Sequence, residues 1–303
     1  MGSDAVNILV TGANGYVGGH LLLYLTRQGH RVWAMVRPSC AEKELELLKD
    51  LRVTIVKNDL DGNSRLDIPA EEIHAAIHLL GSIQAPAVGT YRSVHENKTR
   101  FLAAECRRLG IKRLVYLGTL GASPNGASEY LRTKWLAEEE IRASGLEYVI
   151  LRAPLIFGKS FGMRESKVLA RLKEVIRIRK FIPLVGSGEN LLQPIYIGDL
   201  VHCLEKAATD ATLRDEHIDL GGPQKLSFEQ IVDALAANLH IRKPKLSVPR
   251  GIMLAVAFML ERWSTEPPIT RDQVRMMALS ITADTDRMRQ VFGPPVVPFK
   301  DGL

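Results

Sequence analysis

Three groups of residues in this chain have types and spacings suited to chemistry. The first is Thr11-Gly12-Ala13-Asn14-Gly15-Tyr16-Val17-Gly18, a G-x-x-G-x-x-G run between a short apolar segment and an amphipathic one. Glycines at this spacing allow a tight turn and close backbone approach, and the amides opening the next helix attract an anion. The run therefore suits a dinucleotide pyrophosphate. The second group is Tyr130 and Lys134, four residues apart and so on one helix face, where an ammonium favours the ionised phenol. Thr119 upstream can hold a substrate oxygen by its hydroxyl while Tyr130 gives or takes the proton. With seven tyrosines in the chain, one Y-x-x-x-K is unsurprising, so position carries this inference rather than the pair itself. The third group follows the second apolar run, where Val36 leads into Arg37, Pro38 and Ser39. A carboxylate there would bind ribose hydroxyls. A guanidinium suits a 2′-phosphate, which favours NADP(H) over NAD(H). Asp59 fits either the adenine edge or the start of a turn with Leu60, Asp61 and Gly62.

The elements that must position these groups are legible as an alternation. Val6–Thr11, Arg31–Val36, Val53–Val56, Ala75–Leu80, Arg113–Leu117 and Tyr148–Leu151 are short runs rich in Val, Ile and Leu, as expected of parallel strands buried on both faces. Between them, Tyr16–Gln28, Glu42–Asp50, Val94–Leu109 and Glu129–Ser144 carry helical spacing, with Gly29, Gly110 and Gly145 at C-terminal cap positions. The predicted class is α/β, a Rossmann-like doubly wound parallel sheet with a smaller, partly interleaved C-terminal lobe. The expected division is 1–160 for nucleotide binding and 161–303 for substrate or partner, with about 193–220 returning to the main sheet.

Composition narrows the function classes. A length of 303 residues supports one large α/β domain or two ordinary ones, and 46% apolar with 24% charged residues excludes disordered, collagen-like and coiled-coil chains. The net charge of +6 is compatible with anionic ligands, but no basic cluster interleaved with aromatics indicates nucleic acid. Cys40, Cys106 and Cys203 form no C-x-x-C pair, so neither a disulfide framework nor a zinc site is expected. His74 and His78 are four apart, but His78 falls in a predicted strand, and no metal is expected. Met1–Ala5 lacks the basic region of a secretory signal. No G-x-S-x-G or P-loop run supports a hydrolase or kinase. Asp199 reads as a helix N-cap. Ile252–Leu260 is too short to span a bilayer and reads as a buried helix. Ser166–Lys180, with six basic residues among apolar ones, reads as a solvated face or as an interfacial helix against a membrane or acidic partner. A cytoplasmic setting is expected, with peripheral contact at the inner membrane or a protein complex as a further possibility.

The glycine run, Gly118-Thr119 after the fifth strand, and Tyr130-x-x-x-Lys134 together resemble the extended and atypical branches of the short-chain dehydrogenase/reductase superfamily. Asp59-Leu60, Asn97, Leu151-Arg152-Ala153-Pro154 and Phe157-Gly158 add to the likeness. Gln193-Pro194-Ile195-Tyr196-Ile197-Gly198-Asp199 and Ile269-Thr270-Arg271-Asp272-Gln273-Val274 are similar to segments of bacterial relatives of the nucleotide-binding accessory subunit of mitochondrial complex I. The resemblance implies Tyr130 as acid or base, Lys134 on the nicotinamide ribose, Thr119 in place of the usual serine, and Asn97 as a fourth member. It implies cofactor contacts from Gly12, Asn14, Gly15, Tyr16, Val17, Gly18, Arg37, Asp59, Leu60, Leu80, Lys134 and Pro154. Two departures stand out: Gly118-Thr119 replaces a common Ser-Ser, and the stretch between Thr119 and Tyr130 is short. The resulting expectation is an NADP(H)-dependent oxidoreductase acting on a carbonyl or alcohol carbon of an unidentified small molecule. The alternatives are a nucleotide-sugar epimerase or dehydratase, and a cofactor-binding structural or sensor protein without turnover.

Overall fold

The computed structural model describes residues 5–69, 73–81, 90–264 and 267–303; of Met1–Ala5, all but Ala5 lie outside the described residues. The first half runs β1 (Asn7–Thr11), α1 (Tyr16–Arg27), β2 (Arg31–Val36), α2 (Glu42–Lys49), β3 (Thr54–Lys57), β4 (Ala75–His78), a π-helical turn Ser93–Asn97, α3 (Lys98–Arg108), β5 (Arg113–Thr119), α4 (Glu129–Arg142) and β6 (Glu147–Ala153). The second half runs β7 (Ile156–Phe157), α5 (Lys167–Ile178), β8 (Ile182–Val185), β9 (Leu191–Leu192), β10 (Ile195–Tyr196), α6 (Ile197–Thr209), β11 (Glu216–Asp219), β12 (Leu226–Ser227), α7 (Phe228–Asn238), β13 (Lys245–Val248), α8 (Arg250–Trp263), α9 (Arg271–Met277) and α10 (Asp286–Phe292).

A seven-stranded sheet in the order β11-β6-β5-β4-β1-β2-β3 forms the centre, and every neighbouring pair is parallel. This is the doubly wound sheet expected from the alternation, with β11 added as a seventh strand beside β6. Alternate residues of each strand feed opposite cores, which is why the strands lack polar alternation. In β1, Ile8 and Val10 pack with Leu21, Leu22 and Leu25 of α1, Leu45 of α2 and Leu200 and Leu204 of α6. Leu9 packs on the other side with Leu102 and Cys106 of α3 and Ala137 and Ile141 of α4. The second lobe has its own core of Phe157, Leu169, Ile176, Ile182, Phe228, Ile231, Leu235 and Phe299, with a smaller cluster of Val185, Ala257 and Val274 beyond it.

Several local expectations change. β5 runs on through Thr119, in register with Ala153 of β6, so Thr119 ends the strand rather than following it. β4 stops at His78, two residues before Leu80. Asp199 is not an N-cap: it lies inside the first turn of α6, and its carboxylate accepts the Val296 amide at 3.2 Å. Ile252–Leu260 is helical, but among its residues only Ala257 is fully buried, because the lobe supplies one small cluster to pack against and leaves the opposite face exposed. Among the described residues no helix is long and apolar enough to cross a membrane.

Candidate functional site

The strand order reverses between β1 and β4, and in open α/β sheets that crevice, beyond the carboxyl ends of the strands, is where ligands bind. Gly12 sits there at φ +70°, and a Cβ on it would lie 3.3 Å from the Leu79 carbonyl carbon and 3.4 Å from the Leu80 nitrogen. Gly18 faces back onto the same turn, where a Cβ would come within 2.3 Å of the Gly12 oxygen and 2.6 Å of the Ala13 oxygen. Gly15 occupies the N-cap of α1 without offering a side-chain acceptor, and the first turn holds no acid. An anion-binding end with backbone on both sides is what a pyrophosphate needs, so Gly12, Gly15, Val17 and Gly18 fit the dinucleotide. Asn14 instead directs its side-chain amide to Glu44 Oε2 at 2.8 Å, bridging the turn to α2. The Tyr16 hydroxyl is buried without a hydrogen-bond partner among the described residues, and burial raises its pKa.

At the carboxyl end of β2, Arg37 is exposed to solvent. Two basic residues of the second lobe accompany it. Lys167, at the start of α5, is held below the ordinary lysine range first by burial and then by the charges of Arg164 and Arg37. Arg164 itself pairs with Glu44 of α2. Local sequence gives no sign of this approach: Lys167 belongs to a stretch with the pattern of a solvated or interfacial helix, and Arg164 precedes it. On the far side, the Leu60 amide donates to Asn58 Oδ1 at 2.8 Å with Leu60 at φ +56°, so Asn58 closes the turn in which Asp59 stands partly exposed. Leu80 and Pro154 are partly buried at the same end of the sheet.

Thr119, Tyr130 and Lys134 come together at the end of β5. The Tyr130 ring stands against His95 and Tyr91; burial raises the phenol's pKa, and the neighbouring Thr119 opposes that rise. Lys134 is buried, donates through Nζ to the Leu117 carbonyl at 2.7 Å, and lies 4.2 Å from the centroid of the Tyr116 ring. Burial lowers its pKa to about 7, against the charge of Glu138. The face that carries Tyr130 and Lys134 continues to Glu138 and Arg142 at the same spacing of four, and the fully buried Glu138 accepts Arg152 Nη2 at 2.6 Å and Arg142 Nη2 at 3.1 Å. Gly118 backs onto this pair: a Cβ there would lie 3.0 Å from Glu138 Oε1 and 3.3 Å from Arg152 Cγ. The departure from Ser-Ser thus has a packing cause.

Asn97 does not join the cluster. It ends the π-helical turn with its residue exposed, whereas His95, two positions earlier and fully buried, stands edge-on to Tyr130 with ring centroids 5.4 Å apart. His95 Nδ1 is 2.8 Å from Thr133 Oγ1, and a Cβ at Gly81 would fall 3.6 Å from Lys134 Nζ and 3.7 Å from His95 Nε2. The wider π turn determines which of these residues faces inward, and helical spacing of 3.6 does not register it. His78 is bonded through both ring nitrogens, to Thr11 Oγ1 at 2.7 Å and Thr99 Oγ1 at 3.0 Å, and burial lowers its pKa to about 3. It is a neutral brace between β1, β4 and α3. Among the described residues no group of three potential metal ligands occurs.

The profile described as NAD dependent epimerase/dehydratase family matches residues 8–221. Curated relatives include the mitochondrial NADH-ubiquinone oxidoreductase 40 kDa subunit of Neurospora crassa, 23% identical over 96% of this chain and 73% of that protein. The 2-alkyl-3-oxoalkanoate reductase of Stenotrophomonas maltophilia is 28% identical over 98% of this chain and 97% of its own length. Among solved structures, UDP-glucuronic acid 4-epimerase from Bacillus cereus, in complex with UDP-glucuronic acid and NAD, superposes with a TM-score of 0.73 at 19% identity, covering 98% of this chain and 96% of that one. The fold is therefore shared with that solved structure, and the chain belongs to the NAD-dependent epimerase/dehydratase family.

Proposed function

We propose that this protein is an NADP(H)-dependent oxidoreductase that interconverts a carbonyl and an alcohol carbon. The observation that carries the reading is the placement of Thr119 at the end of β5, of the Tyr130 ring edge-on to His95, and of the buried Lys134 with Nζ held on the Leu117 carbonyl at 2.7 Å. The cofactor, held by Gly12, Gly15, Val17 and Gly18 and by Arg37 with Lys167, supplies hydride chemistry when bound. Tyr130, its phenol kept protonated at neutral pH by burial, donates the proton to the oxygen of the carbonyl being reduced. Thr119 orients the phenol, and Lys134 returns it to the protonated form, since a group that titrates near neutrality exchanges protons in both directions. The preference for the 2′-phosphate rests on Arg37 and on Lys167, which feels the Arg37 charge, while Arg164 beside them is paired with Glu44. Solved neighbours such as the Bacillus cereus UDP-glucuronic acid 4-epimerase are in complex with NAD, so the proposed preference is tested on this chain directly.

A second reading, cofactor binding without turnover, is favoured by the similarity to respiratory-chain subunits, and contact with a protein complex belongs to it. Calorimetric titration with NADPH and NADH, followed by a screen of ketone and aldehyde substrates, decides between them. NADPH oxidation by any of these substrates that is lost in Tyr130→Phe supports the oxidoreductase. Tight NADPH binding with no oxidation across the panel supports the second reading, and no affinity for either nucleotide overturns both.

A further inference from the structure

Helix α8 presents an apolar stripe outward. Successive residues of a helix are about 100° apart, which places Ile252, Val256, Met259 and Trp263 within about 60° of one another. Ile252, Val256 and Met259 are 55%, 43% and 51% exposed, and Trp263 is 79% exposed. The opposite face meets the protein: Ala257 is buried against Val185 and Val274, with Met253 and Leu254 packed around them. The one acid of the helix, Glu261, is taken by Arg271 at 2.6 Å, which leaves Arg250 and Arg262 as the other charges of α8.

The ribbon of β8 and β13 connects this helix to a basic cluster. The Lys243 ammonium donates to the Arg177 carbonyl at 2.7 Å and the Ile182 amide to the Pro244 carbonyl at 2.9 Å, so the runs Arg177–Phe181 and Arg242–Lys243 are neighbours. Arg177, Arg179, Lys180 and Arg242 are exposed, together with the apolar Ile178 and Phe181. The nearby acids Glu174, Glu229 and Asp233 are engaged by Arg171 and Lys245. The basic cluster stands at the amino end of the ribbon and α8 follows its carboxyl end, and positive charge together with an exposed apolar ridge matches an anionic lipid surface. A two-fold dimer through this face would bring like charges together at its rim. The helix has 14 residues, about 21 Å at 1.5 Å each, against roughly 30 Å of hydrocarbon, so it can lie in the interface but not cross it.

We propose that this face binds an anionic bilayer, with Ile252, Val256, Met259 and Trp263 inserted at the headgroup boundary and the Arg177–Lys180 and Arg242–Lys243 cluster on the lipid phosphates. The site is separate from the nucleotide site, and its test needs no cofactor, so either reading can fail alone. The full chain is floated with phosphatidylcholine vesicles, with and without phosphatidylglycerol, at low and high salt. Expected results are flotation with the anionic vesicles, release by salt, and a blue shift of Trp263 emission that Trp263→Phe removes. Val256→Asp with Met259→Asp, and separately Arg177→Glu with Arg179→Glu and Lys180→Glu, each lower the bound fraction about tenfold or more while Tm and NADPH affinity stay unchanged. Protein left at the bottom with both vesicle types overturns the proposal, as does equal binding to neutral vesicles. So does a dimer in sedimentation velocity that the Val256→Asp, Met259→Asp variant dissolves while vesicles go unbound.

Discussion

The carboxylate of Asp272 caps the helix that carries Tyr130: it accepts the backbone amide of Tyr130 at 3.2 Å and that of Glu129 at 2.7 Å. Ser128 supplies the ordinary N-cap, accepting the Leu131 amide at 3.1 Å. Three of the amides that open α4 are therefore satisfied, two of them by a residue of the second lobe. α9, itself held by a Thr270–Gln273 capping box, thereby ties the lobe to the site. Asp272→Ala should lower stability by about 1–2 kcal/mol and reduce turnover more than nucleotide affinity. Denaturant unfolding and calorimetry check this; a loss of nucleotide affinity with unchanged turnover would place Asp272 in another role.

Tyr130→Phe keeps the ring against His95 and Tyr91 and removes only the phenol oxygen. NADPH affinity should stay within about twofold while turnover falls by roughly 100-fold or more, since the phenol acts mainly in the transition state. Steady-state rates and titration on one preparation measure both.

Lys134 makes stability depend on pH with a defined sign. Its folded pKa of about 7 lies below the ordinary value of 10.5, so between those values the unfolded chain binds more protons and stability rises with pH. Below about pH 7 the folded protein carries the full burden of a buried ammonium, and above 10.5 the burden is gone. Lys134→Met should therefore raise Tm near pH 6, leave it little changed or lower near pH 10, and weaken NADPH binding. A Tm difference independent of pH would show that burial does not set this group's titration.

Restoring serine at Gly118 should destabilise rather than improve the protein. Its Cβ would press on a Glu138 carboxylate locked by Arg152 and Arg142, at about 1–3 kcal/mol. Thermal unfolding of Gly118→Ser reads this directly, and an unchanged Tm would mean that the ion pair gives way freely.

Arg37→Ala and Lys167→Ala should each lower the ratio of NADPH to NADH affinity by about tenfold, with NADH affinity nearly constant, because each removes one cation from the 2′-phosphate. An unchanged ratio in the double variant would remove both cations from recognition of the 2′-phosphate.

Local pattern determined the architecture and the core of the site. Short apolar runs of strand length alternating with helical spacing indicate parallel strands covered on both faces, so the parallel sheet, the tight turn at Gly12–Gly18 and the placement of Tyr130 and Lys134 on one helix were legible from residues near in sequence. The stripe continues to Glu138 and Arg142 at the same spacing, so the sequence also carries the signal for that buried ion pair. Only the tertiary structure decided that His95 rather than Asn97 meets Tyr130, that Lys167 and Arg164 approach Arg37, that Asp272 caps α4, and that α8 is apolar outward. Each of these depends on a backbone irregularity or on packing between segments far apart in the chain, and hydrophobic periodicity carries no information about which distant surface an element meets.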